Sequence, residues 1–187
     1  MEQRLSRRSV ILFYGGLGLG ALAWNWIRGE SAYHLLIPGT PSGLATELVF
    51  GLCFGLAVVV LSQLADRHIP IVKRLGDELK ELLPPLDGGD IAIMAVMSGL
   101  GEELFFRGAM QDAWGLWVTV ALFAVVHGFF IPRYLVWMAF AAIIAVALGY
   151  MVIWLGSLLA PIIAHITINY FNLHALNRGR MPNGDEL

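Results

Sequence analysis

The sequence predicts an all-α fold, a polytopic transmembrane helical bundle of about six spans plus one interfacial amphipathic helix. Three observations carry that expectation. Of the 187 residues, 58% are hydrophobic and 14% charged, whereas a soluble domain is about 45–50% apolar and about 25% charged. Mean hydropathy is +0.71. The apolar residues fall in runs near the ~20 residues that a helix needs to cross the hydrocarbon core, and Lys and Arg gather in alternate gaps between those runs.

Taken in order, the first span runs from about Val10 to Trp26 and the second from about Leu44 to Leu64. Ser6-Arg7-Arg8 ahead of an apolar stretch that reaches Ala21-Leu22-Ala23 imitates a cleavable leader. Flanking arginines are also what an uncleaved, inward-anchored first span requires, and that is the expectation adopted. Gly16/Gly20 and Gly51/Gly55 give each of these spans a small-xxx-small face for close helix approach. Cys53 reads as a small core residue, and one cysteine excludes an internal disulfide.

Asp66 to Asp90 is the long polar stretch. Ile71, Leu75, Leu79, Leu82 and Leu83 recur at helical spacing among Lys73, Arg74, Asp77, Glu78, Lys80 and Glu81. This predicts an amphipathic helix lying on the interface. Pro84-Pro85 ends it, and Asp87-Gly88-Gly89-Asp90 turns and caps the next helix. The third span runs from about Ile91 to Gln111, the fourth from Trp114 to Ile131, the fifth from Tyr134 to Leu155 and the sixth from Leu158 to Leu173. Short connections make these four antiparallel neighbours. The whole of 1–187 reads as one membrane domain, with N-terminal spans over about 10–64, an interfacial segment over 66–90 and the chemistry over 91–173.

Orientation follows from the basic residues. With the N-terminus in the cytoplasm, Arg4, Arg7, Arg8, Arg67, Lys73, Arg74, Lys80, Arg133, Arg178 and Arg180 lie inside and Arg28 alone outside. Both termini are therefore expected in the cytoplasm. A net charge of −2 offers no footprint for nucleic acid. The Gly15–Gly20 run has no Lys and follows no strand, so it does not read as a phosphate loop. The expected partners are membrane lipid and a transmembrane or lipid-proximal polypeptide; nothing in the sequence points to an oligomeric state.

Ionisable side chains inside a span cost about 2.5–3.5 kcal/mol each on insertion scales, so their default reading is functional. Span three holds Glu102, Glu103 and Arg107. Glu103 and Arg107 are one turn apart and can pair. Glu102 points about 100° away, free to act as a general base. Span four holds His127, and span six holds His165 and Asn169 one turn apart. Two donors aimed at one point suit a developing oxyanion, although His and Asn also serve as interhelical glue. Helix rise puts Glu102 and His165 roughly 15 Å, and His127 and Asn169 roughly 6 Å, from the cytoplasmic span ends. That is enough agreement for one pocket in the cytoplasmic half of the bilayer.

Glu102-Glu103-x-x-x-Arg107, Phe123-x-x-x-His127 and His165-x-x-x-Asn169 together resemble the motifs of the CPBP family, also called Abi or type II CAAX-protease-like, in order and spacing. The resemblance covers about Ile91 to Phe171. It implies a glutamate-dependent intramembrane endopeptidase of the bacterial inner membrane with no cofactor. In it, Glu102 and His127 would activate water, and His165 and Asn169 would stabilise the oxyanion. Glu103, Arg107 and Phe123 would support them. Bacterial members are associated with peptide maturation, immunity and, in the myxosortase-like members, removal of C-terminal sorting tags. Protein sorting or peptide maturation is therefore expected ahead of prenyl-protein processing. Two alternatives stay open. One is a zinc metalloprotease using Glu102, His127 and His165. The other is a non-enzymatic immunity, scaffold or proton-pathway protein.

Overall fold

In the computed structural model, residues 6–30, 41–128 and 131–178 are described. Arg4 and Arg180, used above for orientation, lie outside them, as do residues 129 and 130 of the fourth expected span. Seven helices follow one another, without a strand among the described residues. Helix α1 is Arg7–Ile27, α2 is Pro41–His68 and α3 is Pro70–Leu82. Helix α4 is continuous but changes pitch. It is α-helical over Gly88–Glu102, π-helical over Glu103–Met110 and α-helical again over Gln111–Trp114. Helix α5 is Leu116–Gly128, α6 is Leu135–Leu155 and α7 is Leu159–Asn177.

The boundaries have local causes. Ser6 caps α1 by accepting from Ser9 N–H. Proline opens α2 and α3, where a missing N–H costs nothing. Asp87 and Asp90 form a reciprocal capping box at the start of α4. Gly115, at φ 80°, and Gly156, at φ 68°, end α4 and α6 in backbone conformations that favour glycine. Helix α3 is amphipathic, with Leu75 buried and its charges exposed or half-buried.

Burial is inverted relative to a soluble protein. Phe13, Leu19, Ile143 and Trp154 are 66–73% exposed, while Glu103 and Arg107 are 0% and 1% exposed. Apolar side chains face outward because lipid is as apolar as the interior; polar ones face inward because lipid offers no partners. The chain is an integral membrane protein. Helices stand at all six places where spans are expected. Three of them, Arg7–Ile27, Gly43–His68 and Leu135–Leu155, are long and apolar enough to cross a membrane by themselves. Helix α4 carries Glu102, Glu103, Arg107 and Asp112, α7 carries His165 and Asn169, and α5 has only 13 residues. These three meet a span's demands only beside their neighbours, which shelter the polar groups.

Packing departs from a simple antiparallel chain. Helices α5 and α6 form an antiparallel hairpin, and α7 runs antiparallel to α4, with Ile166 against Gly99 and His165 against Glu103. The most extensive contact, however, is the parallel pair α2 and α7. A Cβ at Gly51 would stand 2.5 Å from the Ala160 carbonyl oxygen, and one at Gly55 would stand 2.7 Å from Thr167 Cβ. This is the use expected of Gly51/Gly55. Gly16 and Gly20 instead have nothing nearby; α1 makes its closest approach where the Tyr14 backbone meets Gly101 of α4, with Gly18 in looser contact with Leu104 and Gly101. Helix α1 also runs parallel to α4. Arg7 pairs with Asp87 and Asp90, Asn25 donates to the Gly108 carbonyl at 2.7 Å, and Arg28 pairs with Asp112. Cys53 is exposed on α2, not in the core. A helix apolar all round does not reveal which face meets lipid and which meets protein.

Candidate active site

Glu102 ends the α-helical part of α4, and Glu103 begins its π-helical part. Consecutive residues project about 100° apart, so the two carboxylates serve different neighbours. Glu103 Oε1 accepts from the Arg107 guanidinium at 2.9 Å and lies 2.7 Å from His165 Nδ1. A carboxylate already held by a guanidinium is an acceptor, so His165 Nδ1 carries the hydrogen and donates it. Glu103 is thus more than the partner of Arg107: it orients the His165 ring and directs Nε2 toward Glu102. His165 Nε2 lies 3.9 Å from Glu102 Oε2.

His127 reaches the same oxygen from α5, with Nε2 at 3.8 Å. Its Nδ1 is 2.7 Å from the Phe123 carbonyl oxygen. That oxygen can only accept, so Nδ1 donates, and the lone pair of a neutral imidazole sits on Nε2, facing Glu102. Phe123 lies between His127 and Arg107. Its ring stacks on His127 at 4.2 Å, and the Arg107 guanidinium sits over it at 4.5 Å. Trp137 of α6 lies beyond His127, near-parallel to its ring at 6.4 Å. Five of the seven sequence-derived residues, Glu102, Glu103, Arg107, His127 and His165, thus form one polar cluster, and Phe123 is packed inside it.

Asn169 lies one turn beyond His165 on α7, and its Nδ2 donates to Ser98 Oγ at 2.8 Å. Ser98 is one turn before Glu102 on α4. Tyr14 of α1 has its phenol close enough to the Glu102 carboxylate to feel that charge. Its backbone packs where a Cβ on Gly101 would stand. Sequence reasoning found none of Tyr14, Ser98 and Trp137. A tyrosine beside Phe13 in an apolar run looks like a lipid-facing aromatic, and a lone serine in a helix carries no periodic signal. Glu102, His127 and His165 are the set that zinc would use. Among the described residues, no group of three or more His, Cys, Asp or Glu has the geometry to hold a metal ion.

Gly88–Glu102 is 15 residues, roughly 22 Å along the axis, and His127 stands beside Glu102 rather than nearer the surface from which α4 starts. Near that surface lies an apolar cavity of about 550 Å³, walled by α2, α6 and α7 through residues such as Phe54, Phe140 and Leu176 and roofed by α3. Trp137 lines it and also stacks on His127, and so separates cavity from cluster.

Fold and cluster together define an integral membrane protein that encloses two carboxylates and two imidazoles among its helices. Residues 86–171, which carry the whole cluster except Tyr14, match the family model described as type II CAAX prenyl endopeptidase, Rce1-like. This segment resembles a domain of that kind. Over 123 residues the chain is 28% identical to the "uncharacterized protein YpbD" of Bacillus subtilis (strain 168), which covers 62% of this chain and 64% of that protein. The chain therefore spans a little under two thirds of that relative's length. No solved structure matches the chain.

Proposed function

We propose that the protein is an intramembrane endopeptidase in which Glu102 and His127 activate water. One observation carries the reading: the Nε2 atoms of His127 and His165 converge on a single oxygen of Glu102 at 3.8 and 3.9 Å. Both gaps are too long for a direct hydrogen bond and suit one water held between the three groups. Glu102 takes a proton from that water with His127 as second acceptor, and the hydroxide attacks the scissile carbonyl carbon. Asn169 and His165 donate to the resulting oxyanion. For His165 this requires an imidazolium, since Nδ1–H is committed to Glu103. Glu102 and Glu103 ionised, with Arg107 and His165 protonated, give a buried cluster with no net charge, the condition under which such groups persist in low dielectric. Collapse of the tetrahedral intermediate breaks the C–N bond, and Glu102 returns its proton to the leaving amine.

The proposed substrate is a transmembrane or lipid-proximal polypeptide, processed during protein sorting or peptide maturation as in myxosortase-like members. The proposed location is a bacterial cytoplasmic membrane with both termini inside, as the basic residues direct. The test is a proteomic comparison of cells carrying the wild type with cells carrying Glu102→Gln. A membrane polypeptide that accumulates uncut in the variant is then reconstituted in liposomes with purified protein. Cleavage by the wild type and none by Glu102→Gln is the expected result. Full cleavage by Glu102→Gln removes Glu102 from the mechanism, and chelator-sensitive cleavage with stoichiometric zinc replaces it with a metalloprotease. Proton flux without cleavage replaces it with an ion pathway.

A further inference from the structure

We propose that Ser98 is a positioning residue that fixes which end of the Asn169 carboxamide faces the Glu102 cluster. The inference deepens the reading of Asn169 as an oxyanion donor and rests on it. The two ends of a carboxamide are nearly equal in shape and opposite in function: the nitrogen end donates and the oxygen end repels an oxyanion. Something must choose between them.

Ser98 makes that choice by how its one hydrogen is used. It is 5% exposed on α4, four residues before Glu102. Its hydroxyl donates to the Ala95 carbonyl at 3.3 Å and so presents a lone pair to α7, where Asn169 Nδ2 donates to it at 2.8 Å. With the carboxamide reversed, the hydroxyl would have to leave Ala95 to meet Asn169 Oδ1. The planar amide then couples its two hydrogens. Holding one N–H on Ser98 sets the direction of the other, which remains available to a reacting oxygen.

A close helix approach holds this bond at fixed length. Next to Ser98, a Cβ on Gly99 would stand 2.5 Å from Ile166 Cγ1 and 3.1 Å from Ile166 N, so the side chain and backbone of Ile166 on α7 lie directly against Gly99 of α4. His165 lies one residue before that contact and Asn169 three after it. The same close approach therefore sets the Glu103–His165 and Ser98–Asn169 bonds together. Ser98 stands outside the three-part motif, yet it connects the carboxamide to the helix that bears the general base.

The test pairs an activity measurement with one that needs no substrate. In side-chain amide NMR of the ¹⁵N-labelled protein in micelles, the Asn169 resonance is assigned with Asn169→Ala. Ser98→Ala is expected to move it upfield and speed its exchange with water, and Ser98→Thr to leave it in place. With the reconstituted polypeptide above, Ser98→Ala is expected to lower kcat about tenfold at unchanged KM, with Ser98→Thr restoring it. In the Asn169→Ala background, Ser98→Ala is expected to cost nothing further. An unmoved Asn169 resonance in Ser98→Ala, or losses that multiply in the double variant, overturns the proposal. If Asn169→Ala is itself fully active, the oxyanion reading of Asn169 fails, and the amide resonance alone decides the role of Ser98.

Discussion

The N-terminal pair α1–α2 and the later helices α4–α7 are held in place by different means. The later helices are organised by charge: Glu103, Arg107 and His165 pair in the buried interior, and each fixes the next. The N-terminal pair is organised by the absence of side chains, through Gly51 and Gly55 against α7 and through Gly101 of α4 against the Tyr14 backbone of α1. Polar contacts on α1 lie mainly toward its ends, at Arg7, Asn25 and Arg28. The difference teaches a division of labour. Buried charge fixes the orientation of single atoms, while glycine contacts fix the distance between backbones, and the cluster needs both. Tyr14 is where the division breaks, because it brings a hydroxyl from the glycine-packed region to the Glu102 carboxylate.

The strongest way to break the comparison is to remove the base. Glu102→Gln is expected to lower cleavage at least a thousandfold, about 4 kcal/mol or more, with little change in thermal unfolding. Next is Glu103→Ala, which strands Arg107 in a buried site and should destabilise by about 3–5 kcal/mol. Adding Arg107→Met should return much of that stability, but not activity, because His165 stays unoriented. Equal recovery of both would deny Glu103 its role at His165. On the other side, Gly51→Leu should cost about 1–3 kcal/mol by overpacking α2 against Ala160, with activity falling only as far as the folded fraction does. Tyr14→Phe sharpens the boundary: cleavage should fall about tenfold with unfolding unchanged. The smallest effect belongs to Arg28→Ala. Its pair with Asp112 is part-exposed, so the stability change should stay within about 1 kcal/mol.

The sequence exposes the charge-organised region well and the glycine-organised region poorly, for one physical reason. A charge inside an apolar run is conspicuous because it is costly there, so Glu102, Glu103, Arg107, His127 and His165 announce themselves by type and position. A small residue in a membrane helix costs almost nothing on any face, so Gly16/Gly20 and Gly18 look alike until the neighbouring helix is seen. Depth is poorly legible at His127 because the rise per residue is counted from an assumed surface, whereas His127 stands level with Glu102. Ser98 and Trp137 were invisible for a further reason: their importance lies in what they touch on another helix. The π-helical stretch over Glu103–Met110 has no compositional mark.

That stretch has a consequence for how the gene can vary. A π segment holds one residue more than an α-helix needs for the same turn. Deleting one codon between Phe105 and Met110 would relax it to α-helical pitch and leave the helix beyond it nearly in phase with what precedes it. Glu102 and Glu103 lie before the deletion and would keep their places. Gln111 would stay directed at the Gly149 carbonyl and Asp112 at Arg28. A codon lost from the regular α-helical part would instead turn everything beyond it by about 100°, so the π stretch is where this helix absorbs a change of length.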